Sequence, residues 1–293
     1  MESDINMRIG KLILSFILSL TLVLGLFALQ LSLFTHIKLF NSKIYITTFE
    51  KLNLYSTITA SINNELSTLS RRCNLPKEIF AASFSDKWVK NELDNTTKNL
   101  IDFMTYKTDK LYAIDIKSQE AAISANISSF LKASNLKIDD SVEVELIKVK
   151  NDAVNMASSN ISPINTKSIQ NSSSFVKVRK NLNNLYIYKN HIIGFLAVAA
   201  ILLLLLHIKK ISQFGKWLGF SLIAGGLITF IPALIGLISK FTNNLAIGIP
   251  SLKALIAAIL KEYIAFFSQT GLVIFAAGLL LIIVASRFEK AKK

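Results

Sequence analysis

Leu12–Phe34 reads LILSFILSLTLVLGLFALQLSLF, 23 consecutive residues without Asp, Glu, Lys or Arg. A hydrocarbon core about 30 Å thick is crossed by roughly 20 helical residues, so this stretch is long enough to span a bilayer. Three further charge-free blocks follow at Ile192–Leu206, Trp217–Ile238 and Ile264–Val284. The last two match the required length, whereas the block at Ile192 is short and must borrow Asn190, His191, His207 and Ile208 to cross. A secretory signal has a shorter apolar core, about 7 to 15 residues, ending at a small-x-small cleavage site. Because the first block runs on through Leu31, Ser32, Leu33 and Phe34 without such a site, it reads as an uncleaved anchor.

Between Gly25 and Gly194 there is no glycine. Hairpin turns, bulges and phosphate loops usually need a positive φ, which glycine adopts at least cost. The long polar insert therefore reads as helices and connectors with little sheet. The expected fold is an all-α integral membrane protein: four transmembrane helices, with a helical-bundle extracellular domain inserted between the first and second. The expected layout is a cytoplasmic N-terminus at 1–11, a first span at 12–35, an extracellular domain at 36–189 and a second span at 190–208. A cytoplasmic loop at 209–216 leads to a third span at 217–238. An extracellular loop with an interfacial helix at 239–263, a fourth span at 264–285 and a cytoplasmic tail at 286–293 complete the chain.

Orientation follows the excess of Lys and Arg in short cytoplasmic segments. Arg8, Lys11, Lys209, Lys210, Lys216, Arg287, Lys290, Lys292 and Lys293 fall on one side, against Lys240, Lys253 and Lys261 on the other. Both termini are predicted to be cytoplasmic. The net charge of +14 loses its nucleic-acid meaning once these cations are read as topology signals, since 36–189 carries 21 basic and 15 acidic residues. Such a mixed-sign surface is only mildly basic. A lone Cys73 leaves no intrachain disulfide framework, so packing alone must hold the insert.

Within the insert, Tyr45, Phe49, Leu52, Tyr55, Ile58, Ile62, Leu66 and Leu69 recur at a mean spacing near 3.4, predicting a long stalk that continues the first span and stops at Arg71–Pro76. A short helix is expected over Pro76–Phe84. Ser85 or Asp86 is expected to cap a second long helix with Val89, Leu93, Thr96, Leu100 and Met104 on its packed face. Leu111–Ile116 reads as an extended link. The partner helix begins near Ser118, with Ala122, Ile123, Ile127, Phe130 and Leu131 inward. From Asp139 the helical spacing of Val142, Leu146, Val149, Ala153 and Met156 outweighs a shorter strand-like alternation. Residues 158–174 hold seven Ser and three Asn and read as a flexible connector. A return helix carrying Phe175, Val178, Leu182 and Leu185 leads into the second span.

In the membrane half, Ser221 with Gly225, Gly215 with Gly219, and Gly271 with Gly278 are small-residue pairs that permit close helix approach, read first as packing within the chain. Pro232 predicts a kink in the third span, and Pro250–Ser251 the start of a helix running into the fourth.

No Gly-rich phosphate loop, His-Glu-x-x-His, Gly-x-Ser-x-Gly or Cys-x-x-Cys occurs. His36, His191 and His207 sit at span ends without carboxylates or cysteines at ligand spacing. Asp139, Asp140, Glu143 and Glu145 read as the acidic start of a helix. None of the four apolar cores holds an ionisable residue, which argues against ion-coupled transport and intramembrane catalysis. No catalytic, cofactor-binding or metal-ligating residue is assigned, and no cofactor is expected.

The anchor, helical insert and returning span resemble bacterial chemoreceptor four-helix-bundle ectodomains over residues 12–208. The departure is that Lys209–Lys216, rather than a large signalling region, follows the second span. Tyr45–Ile62 with Asn74-Leu75-Pro76, in an Asn-, Ile- and Lys-rich chain, is similar to four-span membrane proteins of low-GC Gram-positive, clostridial-type bacteria. These resemblances imply a source and a sensor-like layout. The expected function is a non-enzymatic plasma-membrane sensor or assembly scaffold whose outer domain binds a ligand or protein. Its expected partners are the bilayer and a membrane protein or further copies of itself, with no nucleic acid. The alternative is a subunit of a transport, export or pore-forming complex.

Overall fold

A computed structural model describes residues 2–81, 83–134, 140–162, 172–239, 241–247 and 250–290. The described residues are helical, with no strand among them, and four helices are long and apolar enough to cross a membrane. This is the make-up of a multi-pass membrane protein. The chain divides into two compact units, one of Met1–Asn41 with Lys180–Lys293 and the other of Ser42–Arg179.

In the first unit, α1 (Glu2–Phe34) ends in a π-helical turn, Thr35–Leu39. Among the later helices, α8 (Ser173–Ile187) passes into α9 (Lys189–Leu206) across Tyr188, whose N–H donates to the Asn184 carbonyl while its own carbonyl accepts from Ile192. Helical bonding thus continues across the junction. α9 ends before His207, and α10 (Ile211–Ile238) starts four residues later, six earlier than the expected third span. The reason is local packing: Gly215 lies against Ala285, and Lys216 pairs with Glu289 at 2.5 Å. Pro232 sits within α10 without ending it.

The helix expected from Pro250 is α11 (Pro250–Lys290), 41 residues without a break. At 1.5 Å per residue it is about 60 Å long, twice the thickness of a hydrocarbon core.

α10 and α11 meet backbone to backbone. A Cβ built on Gly226 would lie 2.6 Å from the Gly271 carbonyl oxygen, and one on Gly278 would lie 2.7 Å from that of Gly219. Each pair is seven residues from the next, two helical turns, so the contact stays on one face. The glycines anticipated as close-packing positions are thus spent within the chain. α1 lies against α9 and α10 through Leu22, Ala199 and Leu203, all buried, with Gly25 seated on Leu196 and Leu26 on Gly225. At the other end of α1, Phe34 packs on Tyr263, Phe266 and Phe267 of α11.

The second unit contains α2 (Ser42–Lys51), α3 (Leu54–Arg72), α4 (Glu78–Ala81), α5 (Asp86–Met104), α6 (Lys117–Ala133), α7 (Asp140–Ile161) and the first turns of α8. The expected continuous stalk is instead broken at Phe40–Asn41 and Leu52–Asn53. Phe49, Leu52, Tyr55 and Ile58 advance by threes, which on a 3.6-residue helix drifts by about 60° per step. A straight rod could not keep them on one face, and the turn at Asn53 resets the phase. Asn53 adopts φ 51°, as Asn74 adopts 52°. Without glycine, asparagine supplies the left-handed conformation because its short side chain tolerates it best.

Ser85 caps α5 by accepting from the Trp88 N–H. Val89, Leu93, Ile101 and Phe103 of α5 are buried, which corrects the expected Leu100, 44% exposed; Met104 is half-buried. Ile101 follows Leu93 by two four-residue steps, while Phe103, on another side of the helix, is buried against Arg179 and Phe175. In α6, Ile123, Ile127 and Leu131 are buried as expected. Helix α7 wins over the strand-like alternation and buries Val149, Ala153, Ala157 and Ile161. The expected connector 158–174 is shortened at both ends, since burial of Ile161 extends α7 and Ser173 already starts α8. Its middle, 163–171, lies outside the described residues, as do Asp139 and the tail beyond Lys290. Cys73 is a free, half-buried thiol at the end of α3.

Candidate functional site

One face of α1 is polar where lipid-spanning helices are normally apolar. Ser15, Ser19, Gln30, Ser32 and Thr35 are all buried, Gln30 to 1% exposure. With no water in the hydrocarbon, each must find a partner inside the protein. Ser15 Oγ donates to the Lys11 carbonyl and lies 2.8 Å from His207 Nε2. Ser19 Oγ and Ser221 Oγ are 2.6 Å apart. The Gln30 amide donates to the Gly225 carbonyl at 3.1 Å, and its oxygen accepts from Thr229 Oγ1 at 2.6 Å. Beyond it, Ser32 Oγ donates to the Leu185 carbonyl at 2.6 Å.

The seam ends at His36. Its Nε2–H donates to the Tyr186 carbonyl at 2.6 Å, and its ring stacks on that tyrosine with centroids 4.0 Å apart. Hydrogen bonds of this kind between membrane helices are worth about 0.6 kcal/mol each, up to about 1.7. Their joint effect is on register, because sliding α1 by one residue would break every one of them together. The seam is built from hydroxyls, one amide and backbone carbonyls, with an imidazole at each end. It can hold helices in place and offers no carboxylate to relay a proton.

The second feature lies in the unit Ser42–Arg179. The Arg179 guanidinium sits 3.7 Å from the ring centroids of both Phe103 and Tyr106 and donates to the Thr108 carbonyl. Phe175, one turn earlier, stacks on Phe103. Tyr106 has φ 58°, a conformation that costs a bulky residue of order 1 kcal/mol or more and persists only where its surroundings impose it. Here the end of α5 imposes it: the Tyr106 N–H donates to the Phe103 carbonyl and the Lys107 N–H to that of Asp102, a C-terminal cap whose residue past the helix end is left-handed. Arg179 Nε is buried without a hydrogen-bond partner among the described residues, so the two ring faces and the Thr108 carbonyl make the grip.

Nearer the start of α5, its Trp88 and Glu92 hold the 111–116 link. Glu92 accepts from the Asp115 N–H at 3.0 Å and the Trp88 indole donates to the Asp115 carbonyl at 3.1 Å.

No known protein-family model, curated protein or solved structure matches this chain. The functional reading therefore rests on the geometry. The three histidines go to separate partners, His36 to Tyr186, His191 to Tyr188 and His207 to Ser15. Among the described residues no group of three His, Cys, Asp or Glu is placed to hold a metal ion. The sequence reading missed the seam. Its signals were the four-residue spacing of Ser15 and Ser19 and the lone amide of Gln30 inside an otherwise apolar run.

Proposed function

We propose that this chain is a non-enzymatic bacterial plasma-membrane protein of the sensor or assembly-scaffold type. Its helical unit 42–179 lies outside the cell and binds a ligand or protein partner, and both termini lie in the cytoplasm. It passes its signal laterally to a membrane partner or a further copy of itself.

The observation that carries this reading is the double engagement of α8. Arg179 is gripped by Phe103 and Tyr106, and Tyr186, seven residues on, is held by His36. Both residues belong to the same helix, Ser173–Ile187. A ligand that loosens the aromatic grip on Arg179 acts on the same helix that His36 ties to the first span and that passes into α9. An enzyme needs a site for chemistry, and neither feature supplies one.

Topology and function are tested together. With Cys73 replaced by Ser, a cysteine at Ser172 should label with an impermeant maleimide in intact cells, and one at Lys292 only after permeabilisation. The reverse pattern refutes the outside placement. Photo-crosslinkers on the exposed faces of α6 and α7 should capture a specific partner. A conductance or solute flux in vesicles that survives deletion of 42–179 would instead make the chain a transport or pore subunit.

A further inference from the structure

At the end of the membrane unit where α1 begins, a cavity of about 760 Å³ opens between α1, the turn after α9 and the start of α10. Its rim carries Arg8, Lys11, Lys209, Lys210 and Lys216. Among the described residues, Lys216 is the one of these five that forms an ion pair, with Glu289 at 2.5 Å. Ser15 and His207 close the inner end, 2.8 Å apart. The wall leading away from the cations is apolar: Leu12, Leu205 and Phe220 are each more than half exposed, and Trp217 stands beside them.

Lys216 already has Glu289, and the other four cations, drawn to one concave site, repel one another unless a further anion joins them. A small inorganic anion would satisfy the charge and leave the apolar wall without a purpose. An amphiphile satisfies both, with its phosphate among the lysines and its acyl chain along Leu12, Leu205 and Phe220. The volume falls within the range of about 300–1,000 Å³ that encloses small-molecule ligands. The indole of Trp217 is of the type that settles at head-group depth, and basic pockets between spanning helices are suited to anionic head groups. We propose that this cavity is a binding site for an anionic phospholipid, its phosphate held by Lys11, Lys209 and Lys210. The inference needs only that the four helices cross a bilayer, whichever way round they do so, and is independent of the role proposed for the unit 42–179.

The test uses the delipidated full-length protein in detergent, titrated with phosphatidylglycerol or phosphatidylcholine of identical acyl chains and read by native mass spectrometry. Phosphatidylglycerol should bind saturably and at least tenfold more tightly than phosphatidylcholine. Lys11→Gln with Lys210→Gln should weaken it about 30-fold, from about 1 kcal/mol per cation. The Lys11→Arg with Lys210→Arg variant should keep at least a third of the affinity, and Lys177→Gln in the unit 42–179 should leave it unchanged. An unaltered melting temperature of the Gln variant separates lost binding from lost folding. Equal affinity for the two lipids overturns the proposal, as does an unaffected Gln variant. Displacement of the lipid by equimolar inorganic phosphate or glycerol phosphate would also overturn it, by assigning the cavity to a water-soluble phosphate.

Discussion

Replacing Gly226 by alanine adds one methyl group at the tightest point between α10 and α11. That carbon would lie 2.6 Å from the Gly271 carbonyl oxygen and 2.6 Å from the Phe275 nitrogen. Both are backbone atoms, so no rotamer change relieves the clash. Restoring ordinary contact near 3.4 Å requires the helices to part by about 0.8 Å at that level, and a gap of 0.5–1 Å forfeits a quarter to a half of each dispersion well along it. Overpacking of this kind costs about 1–3 kcal/mol, from which alanine's better helix propensity recovers up to about 1. The expected net loss for Gly226→Ala is about 1–2 kcal/mol. Gly236→Ala on the same helix meets nothing closer than Ile264 Cδ1 at 3.4 Å and should be neutral or slightly stabilising. Gly219→Ala, opposed mainly by the flexible Ile282 side chain, should fall between them. The assay is reversible unfolding of the full-length chain in bicelles or mild detergent, followed by circular dichroism or steric trapping. Gly226→Ala with Gly271→Ala should cost less than the sum of the single changes, because one separation relieves both clashes. The reasoning fails if Gly226→Ala is as stable as Gly236→Ala, or if the two glycine changes add fully.

Gln30→Leu should lower stability in the same assay by about 0.5–1.5 kcal/mol, the worth of its interhelical bonds; a cycle with Thr229→Val that shows no coupling would refute the Gln30–Thr229 bond. Arg179→Ala removes a cation between two rings and should destabilise the unit 42–179 by about 1–3 kcal/mol, with Arg179→Lys recovering only part because an ammonium cannot stack flat on both faces; equal behaviour of the two variants in urea unfolding would count against the clamp. Tyr55 holds its proton above the usual phenol range of 10, chiefly through burial and then through its hydrogen bond to Asp94. A folded-state value raised above the unfolded one gives stability that is intact below pH 10 and declines as pH climbs past it. The Tyr55→Phe variant should lose this part of the alkaline decline, and an unchanged slope in unfolding experiments between pH 9 and 11 would contradict it.

The four spans were legible because uninterrupted apolar runs leave a chain few alternatives to crossing lipid. The cap at Ser85, the stop at Arg71–Pro76 and the helical reading from Asp140 were legible for a similar reason, each being decided by neighbours a few residues away. What escaped depends on distant partners. The stalk breaks at Asn53 because α3 must turn Leu54, Tyr55 and Ile62 inward, a demand from the rest of the unit that outweighs the repeat begun at Tyr45. Phe103 of α5 is buried because Arg179, over seventy residues on, lies against its aromatic ring. Ser15, Ser19 and Gln30 look like tolerated polar residues until Ser221, Gly225 and Thr229 are placed beside them. Exclusion of proton-coupled chemistry from the absence of charged residues did not reveal that a neutral seam was present.

That seam also constrains biogenesis. Gln30 and Ser19 find their partners about 200 residues further along the chain. At synthesis rates of about 5–20 residues per second, the first helix waits roughly 10–40 s before the third is made. Throughout that interval its amide and hydroxyls must be sheltered at the insertion machinery or by lipid head groups. The late arrival of the glycine-lined hairpin therefore completes the assembly, and a nascent chain truncated ahead of Gly225 should remain beside its translocon.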